Sequence, residues 1–418
     1  MMGRDTPSPG LDKTAQYIAD QFSRFGLKPA GENGTWFQRY TIARRKLDPA
    51  TSRVTFRVGA DQVVVRLSRD ASLTFGGVPS RELTTAAVLL GGAFTPDDAA
   101  RLDARDKVAI LVLDYSHPLP AGTVPAVQAL IAGGAAGIVI LSNRDSAAFA
   151  QRVAGQARER TEVERMGTAP PVVEVKEGAV AAVLAAAGVR ADEIRGQSDP
   201  VSRALPELKV TFGLKEQVLS SVTAPNTVGL LEGSDPKLRK EYVVFSAHMD
   251  HVGVAGPNGT GGCRARGADS ICNGADDDGS GTVGVVELAQ AFTQPAARPR
   301  RSILFLTVSG EEKGLFGSSY FTEHPTVPLP QVVADLNIDM IGRNWKDTIV
   351  AIGKEHSDLG ATLNRVAAAH PELDMAAIDD RWPDENFYFR SDHFNFARKG
   401  VPILFFFNGV HPDYHEVS

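Results

Sequence analysis

Apolar positions in the first quarter of the chain change their spacing twice. Ala15, Ile18, Ala19, Phe22 and Phe25 recur at helical spacing, which predicts one amphipathic helix with Gly26 as its stop. Residues 36–43 then read as a strand. Val54, Phe56 and Val58 alternate, as do Val63, Val65 and Leu67, and Gly59-Ala60-Asp61 between them predicts a hairpin. From 81 to 199 the texture turns rich in Ala, Val and Gly. Short apolar runs at 87–90, 108–113 and 137–141 alternate there with helix-like stretches such as 180–187. The segment holds a single histidine, His117, and no cluster of ligand-type side chains. It reads as a compact insert without chemistry of its own.

From about residue 201 a longer pattern repeats. The apolar runs 242–247, 303–308, 332–338 and 403–407 each lead into polar residues: His248, Glu311-Glu312, Asp339, and the stretch 411–415. Helix-like segments at 282–292, 315–321 and 359–369 lie between them. Strands apolar on both faces and separated by helices predict an α/β fold, with a mixed, largely parallel central sheet flanked by helices. In such sheets ligands gather beyond the carboxyl ends of the strands, where these polar clusters fall. The expected organisation is one domain in two parts, 1–80 and 200–418, with a smaller β-rich α/β domain inserted at 81–199.

Composition narrows the function. The 418 residues suggest two or three domains at roughly 150 residues each. Forty-four basic against 50 acidic side chains give a net charge of −6, which argues against a nucleic-acid or anionic-membrane binder. The stretch 116–143 carries no Asp, Glu, Lys or Arg and is long enough to span a bilayer. Its Pro118, Pro120, Pro125, Gly133, Gly134 and Gly137 instead predict a loop, a short helix and a buried strand, so no membrane span is expected. Residues 1–10 are polar and lack an apolar signal core. Two cysteines, Cys263 and Cys272, either bridge a small loop or stay as thiols.

Imidazoles and carboxylates without a thiolate at successive strand ends suit Zn²⁺, Co²⁺ or Mn²⁺ in a hydrolytic site. Taken singly, each signal is bland. Glu311-Glu312 resembles a wet helix start, and Asp276-Asp277-Asp278 before Gly-Ser-Gly resembles a turn and N-cap. Recurrence after four apolar strands is what sets the cluster apart. If His248, Asp277, Glu312, Asp339 and His415 converge, three carboxylates and two divalent cations leave one positive charge for a bound hydroxide to cancel. Asp277 is the natural bridge, since one carboxylate has two oxygens to share. Glu311 is free to move the water's proton, and Asp250 to hold the second ring nitrogen of His248. The Asp-rich loop lacks the register of a calcium-binding hand, and no P-loop, G-x-S-x-G elbow or His-Glu-x-x-His helix occurs.

At these residues the chain resembles the co-catalytic dizinc aminopeptidase family, which also includes glutamate carboxypeptidases, glutaminyl cyclases and a non-catalytic receptor ectodomain. The carrying motifs are SAHMDHVG at 246–253, NGADDDGSGT at 273–282, SGEEKGLFGS at 309–318, LNIDMIGR at 336–343 and HPDYH at 411–415. The resemblance implies two zinc ions per chain. His248 and Asp339 would hold one, Glu312 and His415 the other, and Asp277 both, with a cis peptide at Asp277–Asp278. It further implies Glu311 as general base, Tyr414 as an oxyanion donor and Arg390 as a substrate contact. Segments 106–114 and 128–141 resemble a protease-associated domain. A peptide substrate, aminopeptidase activity and a secreted or periplasmic location are the corresponding expectations; oligomeric state is left open. Relatives continue past the position of His415 into a closing helix, beyond the extent of this sequence. Carboxypeptidase or dipeptidase activity on the same scaffold is the first alternative, because the metal ligands do not discriminate. A non-catalytic receptor-like protein is the second, and retention of all five ligands and the base weighs against it.

Overall fold

A computed structural model of the chain describes residues 3–164, 169–256 and 262–417. It divides into two compact units, Met1–Ile42 with Val222–Ser418, and Ala43–Ser221. The chain passes from one to the other inside the strands Phe37–Leu47 and Glu216–Leu231. The second unit is therefore wider than the expected insert at 81–199. Strand pairing is the reason. The hairpin Arg53–Val58 and Asp61–Arg66 joins the unit's sheet through Pro200–Gly213, and Ala71–Phe75 pairs with Val172–Lys176.

In the Ala43–Ser221 unit an eight-stranded mixed sheet has parallel strands at its middle, Leu83–Gly92, Val108–Val112, Gly137–Ser142 and Val172–Lys176. Alternation sends Ala87 and Leu89 into one core and Val88 and Leu90 into the other, so both faces are covered. The uncharged stretch folds as expected, into the helix Thr123–Ala132 and the strand Gly137–Ser142. No helix among the described residues is long and apolar enough to cross a membrane.

The other unit begins with the helix Pro9–Arg24. The Ser8 hydroxyl accepts the Leu11 N–H at its start, and Gly26, at φ +84°, follows its end. Its sheet places Ile403–Phe406, Val332–Ile338, Tyr242–His248 and Ser302–Val308 side by side and parallel. Glu216–Leu231 adds antiparallel beyond Ser302–Val308, and Thr348–Ile352 antiparallel beyond Ile403–Phe406. The period of two divides the core. Phe245 and Phe305 stack on the face of Phe22 and Phe292, while Val244, Leu304 and Leu306 pack with Phe321 and Phe396. The four parallel strands thus end at one edge, and every polar cluster singled out in the sequence lies just past it. Phe321→Ala is expected to cost about 3–5 kcal/mol, because its side chain is fully buried and leaves a cavity. Urea unfolding of the full chain measures that loss.

Candidate metal centre

Each loop at the sheet edge is shaped by its own sequence. His248 closes its strand, and its backbone N–H donates to Asp278 Oδ2 at 3.1 Å. Asp278 Oδ1 also accepts from the N–H of Gly281 at 2.8 Å and of Met340 at 3.2 Å, so one buried carboxylate caps the helix Gly279–Phe292 and joins three loops. The three aspartates therefore divide their work. Asp276 holds Gly342 N–H and the Ser280 hydroxyl, Asp278 caps, and Asp277 between them is left facing the cleft. The Asp277–Asp278 peptide is cis, as the resemblance implied. After Ser302–Val308 the chain turns at Gly310, with φ +73°, where a Cβ would lie 2.7 Å from the Tyr40 hydroxyl and 2.9 Å from Phe316 Cβ. That turn aims Glu311 and Glu312 at the centre. Met340 (φ +54°) and His415 (φ +55°) are also left-handed, a conformation that side-chain-bearing residues adopt at a cost.

All five expected ligands come together, in two groups that share Asp277. His248, Asp277 and Asp339 form one, and Asp277, Glu312 and His415 belong to the other. His248 Nε2 lies 3.2 Å from Asp277 Oδ1 and 3.6 Å from Asp339 Oδ1. His415 Nε2 lies 3.0 Å from Asp277 Oδ2 and 3.2 Å from Glu312 Oε2. A sixth side chain, His251, completes the second group, with Nδ1 at 2.8 Å from Glu312 Oε1 and 3.6 Å from Asp277 Oδ2. Sequence reasoning passed over it. The signal was the His-x-x-His spacing with His248, on the loop that follows the strand.

The donors fit divalent cations. Asp277 Oδ2, Glu312 Oε1, Asp339 Oδ1, His251 Nδ1 and His415 Nε2 are buried, point at one another, and make no hydrogen bond. Buried polar atoms left this way are costly unless a cation satisfies them. Charge carries the same message. Burial pulls the His248 imidazole down, yet Asp339 and Glu311 outweigh it and hold its pKa well above the ordinary value. His415 is likewise pulled down by burial and pushed up to about 9 by Asp277 and Glu312. Burial alone would raise Asp277, but His248 and His415 bring it far below the usual carboxylate range. The pocket draws positive charge to itself.

Around these groups, Asp250 Oδ1 stands 3.6 Å from His248 Nδ1 and accepts the Glu311 N–H at 3.3 Å, while Oδ2 accepts the Thr6 hydroxyl at 2.8 Å. Ser391 donates to Asp339 Oδ2 at 2.9 Å, leaving Oδ1 to the centre. Tyr414 stacks on His415 with ring centroids 3.9 Å apart. Its hydroxyl pKa is driven upward by burial and by Asp277 and Glu312. Burial raises Glu311 well above an ordinary carboxyl; His248 opposes the shift and Asp392 adds to it. Arg390 is half exposed at the rim, 4.5 Å above the Phe387 ring. A small cavity of about 40 Å³ beside His248, Asp277, Glu311 and Asp339 is lined by Phe387, Phe405, Phe407, Met340, Val410 and Arg390. A larger one, about 310 Å³, opens beside His251, Asp277 and His415 and is lined by Asp276, Asp413 and Glu416. Cys263 and Cys272 are bonded, and they pack with Val417 beside this loop.

The parallel sheet thus presents two imidazole–carboxylate groups around a shared aspartate, with Glu311 alongside. Residues 226–418 match the model of Peptidase family M28. A vacuolar membrane protease of Aspergillus fumigatus is 35% identical over 98 residues, 23% of this chain and 10% of that protein. Its counterpart in Pyricularia oryzae is 42% identical over 89 residues, 21% of this chain and 7% of its own. The chain thus spans about a tenth or less of the length of these curated relatives. Among solved structures, an aminopeptidase from Aneurinibacillus sp. strain AM-1 is similar at TM-score 0.42 and 19% identity, over 100% of this chain and 84% of that one. A zinc aminopeptidase from Bacillus subtilis is similar at TM-score 0.43 and 19% identity, over 99% and 84%. The expected secreted or periplasmic location is corrected by these findings: the curated relatives are named for a vacuolar membrane.

One support of the centre lies far away in sequence. Arg4 donates from Nε to the Met249 carbonyl at 3.0 Å, from Nη1 to Asn273 at 2.7 Å and from Nη2 to Gly274 at 2.8 Å. Arg4→Met is expected to lower stability by about 1–3 kcal/mol through carbonyls left without donors. Urea unfolding beside the wild type checks it.

Proposed function

We propose that the chain is a zinc-dependent exopeptidase that removes N-terminal residues from peptides. The observation that carries this reading is the pair of donor groups sharing Asp277, with buried atoms that have no protein partner. His248 and Asp339 would hold one ion, Glu312 and His415 with His251 the other, and Asp277 both. Zinc bound there would polarise the scissile carbonyl and acidify water. Glu311 takes the proton of the attacking water and passes it to the departing amine as the C–N bond breaks. Tyr414 keeps its proton at neutral pH and is the donor available to the oxyanion. Asp250 orients His248 and, through the Glu311 N–H, the base itself.

Lining charge favours the amino end. The larger cavity is edged by Asp276, Asp413 and Glu416, which suit a cationic terminus. Arg343 pairs with Asp413 at 2.9 Å and His411 lies 3.2 Å from Asp276, so the excess acidic charge at this cavity rests on Glu416. The small aromatic-lined recess suits an apolar side chain. Arg390 supports the second reading, a carboxypeptidase or dipeptidase in which the guanidinium meets a substrate carboxylate. The Ala43–Ser221 unit, on this view, is a protease-associated insert that restricts substrates.

Glu311→Gln is expected to retain zinc and to lose about 10²–10⁴-fold in kcat on an aminoacyl anilide. Near-full activity of that variant would exclude the mechanism. Peptides blocked at the N-terminus should resist cleavage while C-terminally amidated ones are cut; the reverse pattern selects the carboxypeptidase reading.

A further inference from the structure

Two polar stripes climb the sheet towards the centre with a period of two, on neighbouring parallel strands paired at Ser246 and Asn337. One is Ser246, His248 and Asp250; the other is Asp335, Asn337 and Asp339. Asp335 is fully buried, four residues before a ligand, and has no part in the mechanism above. It begins a chain of four contacts. Asp335 Oδ1 lies 2.7 Å from Ser246 Oγ, Ser246 Oγ lies 2.9 Å from the Asn337 side-chain amide, that amide lies 3.2 Å from Ser391 Oγ, and Ser391 Oγ lies 2.9 Å from Asp339 Oδ2.

Proton counting decides the state of this chain. Four contacts need four hydrogens. Ser246 and Ser391 supply one each, and the Asn337 amide presents N–H₂ to one side only, whichever way it is turned. One hydrogen is missing, and it must sit on a carboxyl at one end. On the reading that Asp339 is a metal ligand, that end is ionised. We infer that Asp335 is the neutral acid of the pair and acts as a positioning residue, donating to Ser246 and so ordering Asn337 and Ser391 to give a hydrogen to Asp339 Oδ2. Asp339 Oδ1 is thereby left turned to the ion.

A second observation agrees. Asp335 Oδ2 is buried without any hydrogen-bond partner, tolerable for the carbonyl oxygen of an acid and very costly for a carboxylate. Burial drives the Asp335 pKa up to about 8; the Ser246 contact opposes the shift, and Asp392, the ionisable group acting on it, adds to it.

The test compares wild type with Asp335→Asn, which keeps a donor towards Ser246, by urea unfolding of the full chain at fixed zinc from pH 4 to 8. A raised native pKa means the folded state holds a proton that the unfolded chain gives up near pH 4. Wild type should therefore lose stability relative to D335N as pH rises through that window, by up to about tenfold in the unfolding constant per pH unit. A flat difference, or one of opposite slope, marks an ionised Asp335 and overturns the inference. D335N should also bind zinc within about threefold of wild type, whereas Asp335→Leu, lacking a donor, should bind about 10–100-fold more weakly. A D335N loss as large as that of D335L overturns the positioning role. Should D335L fail to fold, the D335N affinity and the pH series decide alone. If wild type binds no zinc, the metal reading falls, while the slope still reports where the proton sits.

Discussion

A single carboxylate, Asp277, governs the geometry of the centre. Its two oxygens face two different donor groups, 3.2 Å from His248 on one side and 3.0 Å from His415 on the other. Three carboxylates and three imidazoles converge here, and burying them costs hydration that a bound cation would offset. The arrangement fits the coordination shell of cations proposed above. The remainder of the domain holds these groups in place. Asp278 binds three loops through backbone N–H groups, Arg4 binds four carbonyls, and Ser391 fixes the orientation of Asp339.

The sheet explains why the candidate ligands are scattered in sequence yet adjacent in space. Parallel strands bring their carboxyl ends to one edge, and each following loop needs to contribute only one or two side chains. Buried apolar strands give that edge a rigid base; Ser302–Val308 is buried at every position. Left-handed residues at Gly310, Met340 and His415 then turn individual side chains inward. A centre of this kind depends on the sheet for alignment and on the loops for aim.

Much of this was legible in the chain. The apolar runs at 242–247, 303–308, 332–338 and 403–407 became the four central strands, because fully buried strands have to be apolar on both faces. The recurrence of polar residues after each run located the five expected ligands and Glu311 at one edge. What escaped was set by long-range contact. His251 reads as an ordinary loop histidine until Glu312 is placed 2.8 Å away. Arg4 sits in an apolar-poor N-terminal segment, with no local signal that it reaches carbonyls some 245 to 270 positions on. The insert was drawn too narrowly because the hairpin around Gly59 and the strand Pro200–Gly213 pair across its expected borders. Local spacing predicts such strands but not the sheet they join. Location was inferred from resemblance alone, and the curated relatives are named for a vacuolar membrane.

The account stands on two cations bridged by one aspartate, and native mass spectrometry of the chain loaded with zinc tests that most directly. Two zinc ions per chain in the wild type, with a loss of at least one in Asp277→Asn, is the result it predicts. A chain that takes up no zinc, or one whose occupancy is unchanged by Asp277→Asn, would contradict it.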